Sequence, residues 1–235
     1  MSLTLLGAGP SAGGALGIVT EGLVLNLDAG NTSSYSGTGT DWFDLSPEDN
    51  DGTLINGPTF DSANGGSIVF DGTDDHAYFS SAISQTMNTV NIWVNMRATS
   101  ACPIVLYGQD VFSSFNWSWG IAVYPNNTHG FNEDPQTYPT TSLYTESVDT
   151  SIWKNFTLVR NNGGDVQLYK NAVLKGTKVG GGNTSLYDIS DRLRIAKTGS
   201  TYGNFDLSIV HIYNRNLSAD EIDQNYNALK SRFGL

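Results

Sequence analysis

Cysteine, long apolar runs and charged residues are all scarce in this sequence of 235 residues. The single cysteine, Cys102, excludes an internal disulfide and any metal site built from several cysteines. No apolar run approaches the roughly 20 residues of a bilayer-spanning helix, and no basic residue precedes the apolar N-terminal stretch. We therefore expect neither membrane insertion nor a signal peptide. Only 15% of residues are charged and 26 are glycine, a balance typical of a turn-rich β protein.

Positive charge is absent from the first part of the chain. Arg97 is the first basic residue, so residues 1–96 carry eleven acidic residues and no basic ones, whereas residues 97–235 carry twelve of each. Nucleic-acid binding needs clustered Lys and Arg to displace counterions, so we expect no nucleic-acid partner. The acidic part is either a solvated surface or a docking face for a basic partner or divalent ions, and the charge pattern leaves both open.

The first 17 residues have the composition of an arm. They are uncharged and include five glycines, which lose much conformational freedom on ordering. Four leucines are costly to leave in water, namely Leu3, Leu5, Leu6 and Leu16. We therefore divide the chain into an arm, residues 1–17, and a globular domain, residues 18–235. The arm either becomes ordered against another subunit or is a disordered tail.

Short segments of alternating apolar and polar residues, separated by Gly, Asn, Asp and Ser, follow the arm. Leu23, Leu25 and Leu27 show the alternation of a half-buried strand. Residues 165–176 indicate a hairpin that turns at Asn171, which tolerates positive φ. Many such segments with nothing helical between them predict an all-β fold, a two-sheet antiparallel sandwich.

One helix is predicted, over residues 218–232 at the C-terminus. Ser218 and Glu221 have the spacing of a capping box, and Gly234 follows the last turn. Ile222, Tyr226 and Leu229 fall on one helical face. We expect this face to cover a sheet edge or an open end of the sandwich.

Nine segments, in order and spacing, resemble the laminin-G/pentraxin-type branch of the concanavalin A-like jelly rolls. The resemblance covers about residues 18–233, and it is carried by Gly22–Gly30, Trp42–Ser46, Asp51–Leu54, Phe70–Asp75, Val90–Val94, Trp153–Arg160, Val166–Asn171, Leu193–Ala196 and Ile212–Ile222. It implies a concanavalin A-like jelly roll. The chain departs from the family pattern in loops, with Ala172 where Gly is usual, Phe205 in place of a common Gly, and Ser46–Asn50 in place of a Gly/Asn-rich turn.

A narrower resemblance comes from the ending Leu217–Leu235, the opening Leu27–Gly30, and the segments Asn56–Phe60 and Ser62–Gly66. These are similar to stand-alone jelly-roll proteins encoded among the virion genes of tailed phages. The lone reduced cysteine and the lack of a signal peptide agree, because virions assemble in the bacterial cytoplasm.

No catalytic residues are predicted. Glycosidases of this shape carry acidic residues that alternate along one strand, but Glu221 and Asp223 alternate inside the predicted helix. His76, His129 and His211 are scattered, with no nucleophile elbow or zinc-protease motif around them.

No cofactor is required by the sequence, but a structural calcium ion has two candidate sets of ligands. Asp71, Asp74 and Asp75 crowd one turn and supply the hard oxygen donors that calcium prefers. Asp28 and Asp206 form the second set, because related jelly rolls hold calcium between their first and last long strands. Solvated turn aspartates are the alternative.

Sugar binding is the remaining candidate chemistry, since aromatic faces stack on pyranose rings. Residues 110–120 place Trp117 and Trp119 on one side of a strand, and the loop-rich stretch from Tyr124 to Ser147 includes Tyr138. We take Trp117, Trp119, Tyr124 and Tyr138 as candidate carbohydrate contacts. The alternative is that the tryptophans lie in the core and the loops pack on a neighbouring subunit.

The leading hypothesis is a non-enzymatic structural protein of a tailed-phage virion, in a capsid decoration or a tail or fibre. Its lectin-like domain would be anchored by the arm to other virion proteins, as a homo-oligomer, a trimer or ring. The alternative is a receptor-recognition module or adhesin that binds host-surface glycan. A glycoside hydrolase is the third hypothesis.

Overall fold

A computed structural model describes residues 16–79, 88–98, 102–107, 119–123, 128–130, 142–145, 149–160, 165–179 and 193–235. Within these residues the strands form two eight-stranded antiparallel sheets and one small hairpin. The predicted all-β sandwich with one C-terminal helix is therefore confirmed. No helix in the described ranges is long and apolar enough to cross a membrane.

Sheet A has the order β14-β13-β12-β7-β18-β5-β4, and β1 also pairs with β18. Its strands are β1 (Leu23–Asp28), β4 (Thr59–Asp61), β5 (Ser67–Asp71), β7 (Thr89–Met96), β12 (Trp153–Arg160), β13 (Val166–Lys170), β14 (Val173–Lys178) and β18 (Asn204–Tyr213).

Sheet B has the order β11-β10-β9-β8-β15-β6-β3-β2. Its strands are β2 (Asp41–Trp42), β3 (Gly52–Ile55), β6 (His76–Phe79), β8 (Cys102–Tyr107), β9 (Trp119–Val123), β10 (Thr128–Gly130), β11 (Ser142–Thr145) and β15 (Leu193–Ile195). The hairpin consists of β16 (Lys197–Thr198) and β17 (Thr201–Tyr202).

The main core lies between the two sheets, because each strand sends alternate apolar side chains inward. Large members of this core come from both sheets and are fully buried, among them Leu25, Leu27, Trp42, Phe70, Phe79, Ile92 and Phe205. The predicted hairpin is also present. Asn171 and Ala172 form its two-residue turn, with φ of 50° and 62°, the backbone that the twist of paired strands favours.

The C-terminal helix, α1, spans Ala219–Leu229 and is followed by a 3₁₀ turn over Lys230–Phe233. The capping box of Ser218 and Glu221 is present, and Gly234 ends the turn in the left-handed conformation. The regular helix therefore ends three residues before the predicted Arg232, because its last turn tightens to 3₁₀ geometry.

The helix covers a face of sheet A, and the expectation that it covers an edge or an end was wrong. The Trp93 ring stacks on Phe233 at 4.2 Å and on Tyr226 at 5.6 Å between centroids. Ile222 packs with Tyr213 on the same outer face. The outward side chains of β7 and β18 on this face are apolar and costly to expose to water, and α1 covers them. The described chain therefore has three layers: sheet B, sheet A and α1.

The chain enters the domain beside α1. Gln224 donates a hydrogen bond to the Gly17 carbonyl at 2.8 Å, and the Val19 amide donates one to Asn225 at 2.7 Å. Leu16 is 69% exposed. The segment from Gly17 onward is therefore attached to its own domain on the sheet-A side, and Leu16 projects from that side.

Candidate functional site

The carbohydrate contacts predicted from sequence fall mostly outside the described residues, namely Trp117, Tyr124 and Tyr138. Trp119 is the first residue of β9, where its backbone pairs with that of Tyr107 on β8. Of the arm leucines, Leu3, Leu5 and Leu6 lie outside the described residues, and Leu16 is the exposed residue beside α1.

The predicted acidic turn does bring three carboxylates together. One oxygen from each of Asp71, Asp74 and Asp75 lies within 4.8 Å of the others. The Asp71 carboxylate accepts a hydrogen bond from the Thr73 amide at 2.7 Å, which lowers the pKa of Asp71. Burial, with repulsion from Asp71 and Asp74, raises the pKa of Asp75. Either a bound calcium ion or surrounding water would offset the repulsion among these carboxylates. The geometry does not distinguish the two, so a calcium site at this turn stays a prediction.

Asp28 and Asp206, the second predicted set, each bind a different arginine. Both oxygens of Asp28 accept hydrogen bonds from Arg232, at 2.8 and 2.9 Å. Asp206 accepts hydrogen bonds from Arg97 and from Asn95, and burial nevertheless raises its pKa. Because guanidinium groups already neutralise both carboxylates, calcium at either position would have to displace an arginine.

Arg232 joins three distant parts of the chain. Besides Asp28, its guanidinium donates hydrogen bonds to the carbonyls of Asn64, Gly65 and Gly66 and to the Ser208 hydroxyl. A Cβ on Gly30 would lie 1.6 Å from the Gly65 carbonyl oxygen, so only glycine fits there. The segments Leu27–Gly30 and Ser62–Gly66, which are distant in sequence, thus meet in a structural junction.

A row of outward-pointing side chains crosses four neighbouring strands of sheet B. Asp41 on β2 pairs with Thr53 on β3, Thr53 pairs with Tyr78 on β6, and Tyr78 pairs with Arg194 on β15. Because side chains alternate along a strand, the burial of their chain neighbours in the core shows that all four point outward. Those buried neighbours are Trp42, Leu54, Ala77 and Ile195. We name Asp41, Thr53, Tyr78 and Arg194 the sheet-B rung.

Two more aromatic rings lie beside the sheet-B rung. His76 is two residues before Tyr78 on β6, and its ring centroid lies 6.0 Å from that of Tyr202 on β17. The Lys197 ammonium lies 5.6 Å from the Tyr202 ring centroid, a cation–π contact. These side chains are half-buried, so their ring surfaces are partly open to a ligand.

Sequence reasoning missed the sheet-B rung. The alternation around Trp42, Leu54 and Ala77 could have shown which side chains point outward. The register that aligns them includes the pairing of β6 with β15, which begins at Leu193, far from the other three strands in the chain. The period of two within a strand shows which side chains face the core, but it does not show which distant strand is the partner.

Among the described side chains, the helical acids Glu221 and Asp223 bind other side chains of the domain, and His211 is buried. Glu221 accepts two hydrogen bonds from Arg215, which lower the pKa of Glu221 to about 2, and it also completes the capping box. Asp223 accepts a hydrogen bond from Asn227. His211 is 2% exposed, and burial lowers its pKa to about 4, so it is neutral and remote from solvent.

Comparison with known proteins decides the family. The family model described as the concanavalin A-like lectin/glucanases superfamily matches residues 71–223, well over half of the chain. The chain belongs to this superfamily. The match begins at Asp71 in the acidic turn and ends at Asp223 in α1, so most of both sheets lies within it. No curated protein sequence matches the chain.

Several solved structures share the fold of this chain at low sequence identity. A Trypanosoma rangeli sialidase in complex with 2,3-difluorosialic acid is 17% identical with a TM-score of 0.70, and the alignment covers 97% of this chain and 36% of the sialidase. The binding domain of botulinum neurotoxin DC in complex with rat synaptotagmin II is 12% identical with a TM-score of 0.66, covering 90% of this chain and 52% of the other. The chain thus spans about a third to a half of these proteins.

Proposed function

We propose that this lectin-like domain is a non-enzymatic glycan-binding protein that contacts sugar through the outer face of sheet B. The observation that carries the proposal is the difference between its two outer faces. Sheet A is covered by α1 and by the entering chain. Sheet B presents carboxylate, hydroxyl, aromatic and guanidinium groups outward from neighbouring strands. Such a mixture suits a polyhydroxy ligand with apolar ring faces.

Sugar ligands occur among the structural neighbours, in proteins of which this chain spans about a third to a half. The sialidase is bound to a sialic-acid derivative, and the neurotoxin binding domain also forms a complex with SialylT. Those ligands belong to those proteins. At 17% and 13% identity, the likeness to these two proteins shows a shared fold alone. The outward side chains of sheet B are the support for a sugar ligand of this chain.

The finer proposal is that the domain is displayed on a tailed-phage virion, assembled in the host cytoplasm as a trimer or ring and anchored by its arm. The resemblance of its ending and opening segments to phage jelly rolls supports this placement. The position of Leu16 also supports it, because an arm that leaves beside α1 would attach the domain by its sheet-A side. Sheet B would then face outward, toward host-surface glycan.

A panel of immobilised bacterial polysaccharides, probed with the purified full-length protein, tests glycan binding. We expect retention on at least one polysaccharide and unchanged polysaccharide length afterwards. Absence of binding across the panel would overturn the proposal.

Arm anchoring has its own test. Deletion of residues 1–15 leaves the hydrogen bonds of Gly17 and Val19 intact, so we expect a folded protein that no longer incorporates into particles. Normal incorporation of the shortened protein would contradict arm anchoring.

Glycoside hydrolysis is the second candidate, because Asp71 and Asp75 have pKa values shifted in opposite directions and carboxylate oxygens within 4.8 Å. Paired acids of this kind can divide acid and base roles. Both residues belong to one turn, however, and Asp75 accepts a hydrogen bond from the Asp71 amide, whereas glycosidase acids flank the scissile bond. Sugar release that Asp75→Asn abolishes would establish hydrolysis and reject the non-enzymatic proposal.

A further inference from the structure

A buried row of polar side chains crosses the outer face of sheet A beneath α1. Thr157 on β12 pairs with Asn91 on β7, and Asn91 pairs with His211 on β18. The exposed fractions of these three residues are 0%, 0% and 2%. Along the strands the row lies between two apolar clusters, and α1 contributes Ile222 to one and Tyr226 to the other. The helix therefore covers polar groups as well as apolar ones.

The hydrogen bonds of Asn155 fix the orientation of the Asn91 amide. Asn155 Nδ2 donates to the Ile92 carbonyl at 3.0 Å, and its Oδ1 faces Asn91. Asn91 Nδ2 donates to that oxygen at 3.3 Å and to the Thr157 hydroxyl at 2.6 Å. The reversed amide would place two acceptors, Asn91 Oδ1 and Asn155 Oδ1, against each other. Asn91 therefore turns its Nδ2 toward β12 and its Oδ1 toward β18, where His211 lies opposite.

Two polar atoms on facing side chains of this row have no hydrogen-bond partner in the described part of the protein. They are Asn91 Oδ1 and His211 Nδ1, and both are buried. Side chains directly opposite each other on antiparallel strands have Cβ atoms about 4.5–5.5 Å apart. Buried polar atoms in native proteins nearly always have a partner, either in the protein or in an ordered water molecule. A small group held between these two atoms would satisfy both.

Charge decides which small group fits between the two atoms. Asp28, the carboxylate whose charge acts on His211, already binds Arg232 through both of its oxygens, and the two residues that α1 buries are uncharged. A cation would therefore lack a counter-charge, and an anion would face the acceptor oxygen of Asn91. A water molecule is neutral. It donates one hydrogen to Asn91 Oδ1 and either donates to His211 Nδ1 or accepts from it, so it suits both tautomers of the neutral ring.

We propose that one water molecule is bound beneath α1 and bridges Asn91 Oδ1 to His211 Nδ1. It joins the outward side chains of β7 and β18 between the two apolar clusters that α1 covers. The polar row can then stay buried without a charged partner, and α1 can pack over it. This inference concerns the attachment of α1 to sheet A, and it does not depend on the proposed glycan-binding function.

A crystal structure of the full-length protein, at a resolution that shows ordered water, tests this site. We expect one isolated water peak about 2.7–3.2 Å from both Asn91 Oδ1 and His211 Nδ1. Three results would overturn the inference: the same side-chain positions with no peak between them, a direct hydrogen bond between Asn91 and His211, or a metal or halide ion at the peak.

A nuclear Overhauser effect from water to the His211 Hε1 proton reports the same water molecule in solution, because that proton is next to Nδ1. The Thr157 hydroxyl also exchanges its proton with water, so Thr157→Val is the matched control and should keep the effect. Asn91→Leu is similar in size but offers no acceptor, and we expect it to lose the effect.

Each contrary result in solution has a distinct meaning. Loss of the effect in Thr157→Val would assign it to the hydroxyl, and its survival in Asn91→Leu would show that Asn91 does not hold the water. Either result would overturn the bridge, as would the absence of the effect in wild type. If Asn91→Leu does not fold, the wild-type crystal structure and Thr157→Val still decide the question.

Discussion

Replacement of Arg232 by alanine is the sharpest test of how the two ends of the domain are held together. The five N–H groups of the guanidinium make six hydrogen-bond contacts, so one of them is shared; two contacts are with the Asp28 carboxylate and the others with three carbonyls and one hydroxyl. These partners belong to β1, to the segment before β5 and to β18. Arg232→Ala would therefore release the C-terminal turn from all three at once.

The size of the loss follows from burial. A hydrogen bond to a charged group contributes about 1.5–3 kcal/mol, but the bonds of one guanidinium are not additive. The side chains of Arg232 and Asp28 are 20% and 22% exposed, so water can replace part of what is lost. We expect the free energy of unfolding to fall by about 2–4 kcal/mol. For a chain of this size that lowers the melting temperature by roughly 4–16 °C.

Urea unfolding followed by tryptophan fluorescence measures this change, because Trp93 stacks on Phe233 next to Arg232. Arg232→Lys keeps the charge but not the planar fork of donors, so it should fall between wild type and Arg232→Ala. Ser231→Ala, at an exposed neighbour, should stay within about 0.5 kcal/mol of wild type. If the free energy of unfolding of Arg232→Ala also stays within about 0.5 kcal/mol of wild type, the Arg232 junction does not stabilise the fold.

Three further changes have defined outcomes. Gly30→Ala places a Cβ 1.6 Å from the Gly65 carbonyl oxygen, so unfolding titrations should show a loss of about 3 kcal/mol or more, and wild-type stability would contradict the close approach. Burial lowers the pKa of His211 from 6.5 to about 4, so the unfolded chain takes up a proton before the folded one and the free energy of unfolding should fall by about 3 kcal/mol between pH 6.5 and pH 4. His211→Gln should remove this part of the pH dependence. A His211→Gln protein with the same pH dependence of unfolding as wild type would refute the prediction. If calcium binds the acidic turn, millimolar calcium should raise the melting temperature of wild type but not of Asp71→Asn, whereas equal shifts would place calcium elsewhere.

The sandwich could be predicted from the sequence because burial imposes a period of two on each strand. Leu25 and Leu27 are buried as that pattern requires. The capping box of Ser218 and Glu221 likewise fixed the start of α1, since it depends on residues three apart. The tightening of the last turn after Leu229 could not be predicted, because it depends on how Phe233 packs against Trp93, 140 positions earlier in the chain.

The candidate site was less accessible to sequence reasoning, because it depends on long-range pairing. Asp28 was interpreted as a calcium ligand from the family resemblance, while its partner Arg232 lies 204 residues away in sequence. The sheet-B rung needs the register of Tyr78 with Arg194, which no local pattern carries. The sugar contacts predicted at Trp117, Trp119, Tyr124 and Tyr138 are a separate prediction. The described residues include only the backbone of Trp119 from this set, so they do not test it.

Chemical-shift mapping of the isotope-labelled full-length protein, titrated with the polysaccharide fragment it binds, most directly tests the claim that sheet B is the sugar-binding face. The two outer faces belong to different sheets, so their amides report separately. We expect the largest shifts in β3, β6 and β15, around Thr53, Tyr78 and Arg194, and little change in α1. Shifts concentrated in α1 and the outer residues of β7 and β18 would place the sugar on the opposite side and contradict the account.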